Sequence, residues 1–210
     1  MSCVTIPMTL GAGYDVSIKK EIVYTGPLVE ILTGTLETLD DTMIPETVTT
    51  LRSYQFEGNV NLTSVELQYV TEIGSNCFAN CAIDYVNLPS LMVSGAQAFS
   101  YNMLETILLP ELTYVASGMF QRCLGLAIAD FPKATSIRRQ AFYGCESLDI
   151  LILRYDGVVE LEDMMTFTDT RIAAGTGSIY VPADLVSSYQ ADTNWSTYSA
   201  QIQAISELEG

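Results

Sequence analysis

Residues 62–81 read LTSVELQYVTEIGSNCFANC, and this stretch recurs along the chain in altered form. Its opening L-x-x-V-x-L block is followed, sixteen residues after the first leucine, by a phenylalanine. The blocks are spaced 21, 21, 22 and 22 residues apart and begin at Leu62, Ile83, Leu104, Leu126 and Leu148. The matching phenylalanines are Phe78, Phe99, Phe120 and Phe142, and Phe56 extends the register back to about residue 51. This period predicts a solenoid, because one coil cannot bury its own apolar edge and has to stack on its neighbours.

Each block predicts a short strand whose alternate side chains point into the core, so that stacked blocks form a parallel sheet along a concave side. Three residues after each phenylalanine stands a small polar or thiol side chain. This column contains Asn59, Cys81, Asn102, Cys123 and Cys145. Side chains of this kind are expected to bond to the backbone of the neighbouring coil.

The repeat resembles the BspA-like type of leucine-rich repeat, which is found in bacterial surface antigens. The resemblance rests on residues 62–67 and 70–81, and the ending around residues 177–198 resembles the cap of members from gut bacteria and their phages. It covers about residues 51–205. It implies a leucine-rich-repeat solenoid with short parallel strands on the concave face, an irregular convex side and no cofactor. It also implies a non-catalytic scaffold for binding or adhesion.

Three segments are predicted along the chain. Residues 1–50 form a β-rich N-terminal cap or docking segment, in which residues 36–51 are compatible with a degenerate first coil. Residues 51–170 contain the repeats, and residues 171–210 form a C-terminal cap with two short helices. Phe167 lies three residues beyond its expected place, which indicates an insertion near residues 156–163.

The cap sequence predicts where its two helices begin. Pro182 is typical of a first helical residue, and Leu185, Val186 and Tyr189 would share one face of the helix that follows. Asn194 is predicted to cap a second helix. The apolar face of that helix would carry Trp195, Tyr198 and Ile202.

Charge and hydropathy exclude two classes of partner. The chain has 25 Asp and Glu against nine Lys and Arg, a net charge of -16, which repels nucleic acid and anionic membrane surfaces. No apolar run approaches the roughly 20 residues that a membrane-spanning helix needs, so membrane insertion is not expected. The N-terminal residues show no signal-peptide pattern, so we expect a protein made in the cytoplasm.

Catalytic and metal sites are not expected. The chain contains no histidine, which excludes imidazole-based nucleophile systems and zinc sites with histidine ligands. The densest carboxylate groups, Asp40-Asp41 and residues 160–163, lack an accompanying nucleophile and base. Cys77, Cys81, Cys123 and Cys145 are compatible with a zinc site, but their one-per-coil spacing favours buried, reduced thiols. A disulfide between Cys123 and Cys145 stays open as an alternative.

The outward positions of the strands supply the candidate binding site. Polarity falls along the stack, which predicts an exposed apolar surface of the kind that marks partner sites. The candidate residues on the concave face are Tyr85, Asn87, Leu108, Ile128, Asp130, Ile150 and Ile152. Two alternatives remain: either the C-terminal cap or residues 1–50 cover this surface, or the strand alternation slips by one residue and exchanges the faces.

Two hypotheses for function follow. In the first, the chain is a structural or host-recognition component of a phage particle or similar assembly, docked through its N-terminal segment. In the second, it is a bacterial cell-surface adhesion protein that binds a host or matrix protein. Both require a protein partner, bound by the concave face, the N-terminal segment, or both.

Overall fold

A computed structural model describes residues 22–24, 29–31 and 36–208 of the 210-residue chain. Most of residues 1–35, which belong to the predicted N-terminal segment, therefore lie outside the described residues. Within that segment, β1 (Ile22–Tyr24) and β2 (Val29–Ile31) pair antiparallel, with Ile22 opposite Ile31. This confirms the predicted β-rich N-terminal flank.

The repeat blocks form a first set of strands, as predicted. These strands are β3 (Thr38–Asp40), β5 (Ser64–Glu66), β7 (Tyr85–Asn87), β9 (Thr106–Leu108), β10 (Ile128–Phe131), β12 (Ile150–Leu153), β14 (Ser178–Val181) and β15 (Ile202–Ala204). They pair parallel in the sheets β3-β5-β7 and β9-β10-β12-β14-β15. The first set therefore runs along the solenoid and is divided once, between β7 and β9.

A second set of very short strands lies on the return path of most coils, and in the coil of residues 104–125 its place is taken by Val115, which forms a single parallel bridge with Ile137. These strands are β4 (Thr50–Leu51), β6 (Glu72–Ile73), β8 (Val93–Ser94), β11 (Ser136–Ile137) and β13 (Glu160–Leu161). They form the parallel sheets β4-β6-β8 and β11-β13. Val65 of the first set and Ile73 of the second are buried in one continuous hydrophobic core, which runs between the two sets.

The core contains a column of stacked phenylalanine rings. The column runs through Phe56, Phe78, Phe99, Phe120, Phe142 and Phe167, with successive ring centroids 5.2 to 5.9 Å apart. The ring planes of neighbours differ by 14° or less, because each ring repeats the position of the last. Phe167 continues the stack despite its displacement in the sequence, so residues between Phe142 and Phe167 absorb the insertion.

The first coil begins inside the segment 1–50. β3 pairs parallel with β5, with Leu39 beside Val65, and β4 pairs with β6 in the same way. Leu39 and Leu51 are both buried. Residues 36–51, compatible from sequence with a degenerate first coil, therefore form one.

The C-terminal cap is built from shorter elements than the sequence predicts. A 3₁₀ helix at Ala183–Leu185 leads into α1 (Val186–Ala191), a second 3₁₀ helix spans Trp195–Tyr198, and α2 (Ile205–Leu208) follows β15. Ile202 was predicted on the helix of Trp195, which is wrong, because Ile202 extends the parallel sheet beside Ile179. The 3₁₀ helix that begins at Trp195 ends at Tyr198, before Ile202 is reached.

The predicted capping role of Asn194 is wrong as well. Its side-chain amide donates to the carbonyl of Leu161, while the carboxylate of Asp192 accepts bonds from the amides of Asn194 and Trp195. An aspartate two residues earlier thus takes the role, since it reaches the free amides of the turn. Trp195 and Tyr198 pack against the ring of Phe167 and cover the end of the core, as the sequence predicts.

The helices of the described residues are all short. Within that part of the chain, none has the length and apolar character needed to cross a membrane.

Candidate functional site

The outward side chains of the first strand set form a surface that we call the strand face. The parallel register aligns them in two columns across successive coils. One column contains Ser64, Tyr85, Thr106, Ile128 and Ile150, and the other contains Glu66, Asn87, Leu108, Asp130 and Ile152. Because β7 and β9 are not paired, their residues are matched by the repeat register. All seven candidate residues therefore lie in these columns. The alternation does not slip, because the intervening residues Val65, Ile107 and Ala129 are buried.

Exposure varies along the strand face. Tyr85 is 50% exposed, Leu108 54% and Ile128 37%, whereas Asn87, Asp130 and Ile150 are half-buried. The described part of the C-terminal cap thus leaves Tyr85 and Leu108 uncovered.

Ile152 departs from the sequence expectation of an exposed side chain, since it is only 6% exposed. It lies between Asp130 and Tyr180 in its column, because β14 extends the sheet past β12. Arg154, two residues further along the same face, reaches back to form an ion pair with Asp130 at 3.2 Å. The exposed apolar surface therefore ends before Ile152.

The parallel strand ladder is interrupted between β7 and β9, where Tyr85 and Leu108 lie. The amides of Ala127 and Ile128 donate to the carbonyl of Glu105 at 2.8 and 3.3 Å. Among the described residues, the equivalent bonds from Glu105 and Thr106 to the carbonyl of Asp84 are not formed. We call this interruption the seam.

The coils stay stacked on both sides of the seam. The amide of Met103 donates to the carbonyl of Ile83 at 2.9 Å, and the ring of Phe99 stacks on that of Phe120 at 5.9 Å. The seam is therefore a local opening in the strand face rather than a break between two bodies.

The second strand set is interrupted at the same place. In the preceding coil the amide of Gly95 donates to the carbonyl of Ile73 at 2.8 Å. At the seam the carbonyl of Ser94 accepts instead from the hydroxyl of Tyr114, at 3.1 Å. The amide of Thr113 still donates to the carbonyl of Met92 at 3.1 Å, so the pairing is reduced here and a tyrosine hydroxyl replaces one backbone donor.

Sequence reasoning missed the seam, although one signal for it was present. Asp84 and Glu105 occupy the same position in adjacent coils, directly before β7 and β9, and both are exposed. Like charges directly opposite each other destabilise strand pairing. Comparing the charges at this repeat position would have indicated a weak point.

Four of the five small side chains in this column bond to the backbone of the preceding coil, as predicted. The exception is Asn59, whose side-chain nitrogen is buried without a partner among the described residues. Three thiols of this column donate to the carbonyl oxygen of a phenylalanine at 3.0 to 3.1 Å: Cys81 to Phe56, Cys123 to Phe99 and Cys145 to Phe120. Burial raises the pKa of Cys81 to about 11 and that of Cys123 to about 12. These thiols are free and protonated at neutral pH, and they hold neighbouring coils together.

The densest carboxylate groups make structural contacts. Asp40 accepts bonds from the amide and hydroxyl of Thr42, and Asp41 accepts from the amide of Gln68. Glu162 accepts from the amide of Arg139 at 2.8 Å. Within residues 36–208 and the two N-terminal strands, no three His, Cys, Asp or Glu side chains gather in a way that would hold a metal ion.

The fold is shared with solved structures of repeat proteins. The chain is 16% identical to the pneumococcal vaccine antigen PcpA, with a TM-score of 0.63, and the match covers 88% of this chain and 44% of that one. A leucine-rich repeat protein from Bacteroides ovatus is 18% identical, with a TM-score of 0.55 and coverage of 80% and 59%. The chain thus spans about half the length of these two proteins.

A leucine-rich repeat protein of T. pallidum is 22% identical, with a TM-score of 0.51, and the match covers 68% of this chain and 81% of that one. No curated protein is similar enough to this chain to count as a match. The family model of the BspA type leucine-rich repeat region matches residues 35–149 in six copies. With its repeat register and parallel coils, the chain therefore belongs to the BspA-type leucine-rich repeat family.

Proposed function

We propose that this chain is a non-enzymatic protein-recognition scaffold that binds its partner through the strand face. The observation that carries the proposal is the exposure of Tyr85 and Leu108 on adjacent coils. Aromatic and large apolar side chains supply much of the energy of protein interfaces when a partner excludes water from them. A folded protein gains nothing for its own core by leaving them in water.

The backbone beneath these side chains is well supported. The inward neighbour of Leu108, Ile107, is buried in the core, and β9 pairs along its length with β10. A surface held in place before binding loses little conformational entropy when a partner docks. This arrangement suits recognition of a partner surface.

Photo-crosslinking tests this proposal. The photoreactive residue p-benzoylphenylalanine would replace Tyr85 in one variant and Tyr101 in a matched control, since Tyr101 is 48% exposed but lies outside the strand face. Irradiation in the native setting should give a discrete protein adduct from position 85 and little from position 101. Equal adducts from both positions, or none from position 85, would contradict recognition by the strand face.

For the setting of this recognition we propose a phage particle or a similar assembly, with the bacterial cell surface as the alternative. Support for the assembly comes from the N-terminal segment, whose antiparallel pair β1-β2 differs from the parallel ladder of the repeats. A segment of a different kind suits docking to other subunits.

Two preparations distinguish the settings. Mass spectrometry of purified phage particles should detect the full chain, and a variant without residues 1–35 should fold yet be missing from the particles. Labelling of the chain on intact bacterial cells, together with its absence from particles, would instead establish the surface setting and remove the assembly proposal.

A further inference from the structure

We propose that the seam binds a basic segment of the partner protein, with a Lys or Arg side chain beside Asp84 and Glu105 and an apolar side chain against Tyr85 and Leu108. This inference deepens the proposed function and rests on it. It names both the place of contact on the strand face and the chemistry of the partner.

The open ladder leaves an apolar surface at the seam. Val86 is half-buried, whereas the corresponding inward residues Val65 and Ile107 are 0% and 3% exposed. Tyr85 and Leu108 flank this position from the two coils, and both are about half exposed. An apolar side chain of the partner placed here would remove all three residues from water.

The backbone at the seam has unused hydrogen-bonding capacity. Among the described residues, the carbonyl of Asp84 does not accept the bonds that the carbonyl of Glu105 accepts from the next coil. The even-numbered amides of β9, Thr106 and Leu108, face β7 without pairing to it. A polar side chain of the partner can bond to such groups where they reach the surface of the strand face.

The charge around the seam favours a basic partner. Residues 36–121 contain ten carboxylates and one cationic side chain, Arg52, and no Lys or Arg occurs from residue 53 to residue 121. The carboxylates on or next to the strands of this half of the strand face are Glu37, Asp40, Glu66, Asp84 and Glu105. Among the described residues, Arg52 and Arg122, the cations nearest in sequence, form no ion pair with these carboxylates.

The other half of the strand face is different. There Asp130 pairs with Arg154 at 3.2 Å and Asp149 pairs with Arg171 at 3.8 Å. In the less exposed half of the strand face, the carboxylates are therefore neutralised by arginines. In the half where Tyr85 and Leu108 are exposed, the strand face stays negative. Complementary charge steers a basic partner to this half and disfavours acidic ones.

A cationic side chain suits this position. Asp84 and Glu105 lie at equivalent, exposed positions of adjacent coils, and a Lys or Arg placed beside them would be attracted to both. Tyr85, one residue from Asp84, exposes an aromatic ring of the kind that binds cations. The methylene stem of Lys or Arg would pack on the apolar surface below the charge.

Binding of model peptides to the full chain tests this inference. The probe is a fluorescent nine-residue peptide of alternating lysine and valine, and the control peptide alternates glutamate and valine. Fluorescence anisotropy should show saturable binding of the lysine peptide that weakens as salt is raised. The glutamate peptide should not bind. Absence of binding by the lysine peptide would overturn the inference.

Two double variants separate the seam from general charge attraction. D84N with E105Q should weaken binding of the lysine peptide about tenfold, because two ion pairs of partly exposed groups are lost. E57Q with E146Q removes the same charge from two exposed carboxylates outside the strand face and should change binding less than twofold. If both double variants weaken binding of the lysine peptide equally, the inference is overturned.

The double variant D84N with E105Q also provides its own folding control. Because Asp84 and Glu105 are both exposed, this double variant should keep the melting temperature of the wild type, so lost binding would not reflect lost structure. A third variant, Y85S, should weaken binding of the lysine peptide several-fold without changing the charge of the chain. If Y85S and wild type bind equally, the contact with Tyr85 is excluded and the inference fails.

The outcome is distinguishable from failure of the proposed function. A protein adduct from position 85 together with no seam-dependent binding of the lysine peptide would retain recognition by the strand face and remove the basic segment. If position 85 gives no adduct and the lysine peptide shows no binding that depends on the seam, both proposals fail.

Discussion

The side-chain nitrogen of Asn102 lies 2.7 Å from the carbonyl oxygen of Phe78 and joins two successive coils. The same amide accepts a bond from the backbone of Ile83 at 3.0 Å through its oxygen. Asn102 thus makes the contact that Cys81, Cys123 and Cys145 make with their thiols elsewhere in this column. The repeat requires a small donor at this position rather than one residue type.

Asn102→Ala should destabilise the fold by about 2 kcal/mol, since it leaves the carbonyl of Phe78 and the amide of Ile83 buried without partners. Asn102→Cys restores a donor to Phe78 and should cost clearly less. Urea denaturation of both variants measures the difference. If the cysteine variant is destabilised as strongly as the alanine variant, the donor role assigned to this column is wrong.

Phe99→Ala should cost about 3 to 5 kcal/mol of unfolding free energy, because it empties the middle of the phenylalanine column. Met103→Ala is the control, since Met103 is 66% exposed and its truncation should cost less than about 0.5 kcal/mol. Thermal and urea unfolding of both variants test the core. Melting of the Phe99 variant within two degrees of wild type would contradict the stacked column.

Tyr114→Phe should destabilise the chain by about 1 kcal/mol, because the carbonyl of Ser94 loses its donor across the seam. Tyr143→Phe is a matched control on another half-buried tyrosine. Both variants would be compared by urea denaturation. An effect of Tyr114→Phe no larger than that of the control would show that the hydroxyl does not bridge the coils.

The buried thiols predict a loss of stability at high pH. Burial raises the pKa of Cys123 from 9.0 to about 12, so the folded state holds its proton more tightly than the unfolded state does. This stabilisation is complete below pH 9 and is lost as the pH rises toward 12. Between pH 8 and pH 10 each such thiol should lower the free energy of unfolding by about 1 kcal/mol.

Cys123→Asn provides the comparison, since the column accepts asparagine at Asn102. Chemical denaturation of both proteins at pH 8, 9 and 10 should show a weaker pH dependence in the variant. An identical dependence in variant and wild type would mean that Cys123 is not protected from ionisation in the folded state.

The repeat units were predictable because their determinants are periodic. Leu62, Phe78 and Cys81 recur at fixed offsets, and each offset corresponds to one place in a coil, so the parallel strands and the phenylalanine column follow from spacing alone. The orientation of Tyr85 and Leu108 was predictable for the same reason, since strand alternation fixes the outward face.

The ends and the exceptions were not predictable because they depend on contacts that the period does not encode. Ile152 is buried although its position in the repeat predicts exposure, because β14 continues the sheet beside it. Ile202 fits a helical spacing with Trp195, yet the open edge of β14 draws it into a strand. In both places a tertiary contact overrides the local pattern.

Hydrogen exchange at the seam tests the central claim most directly. In the free chain, the amides of Thr106 and Leu108, which lack partners on β7, should exchange faster than the amide of Ile128, which donates to Glu105. Binding of the lysine–valine peptide, or of the partner identified by crosslinking, should slow exchange at Thr106 and Leu108 and leave Ile128 little changed. Unchanged exchange at both amides, with protection elsewhere on the chain, would contradict recognition at the seam.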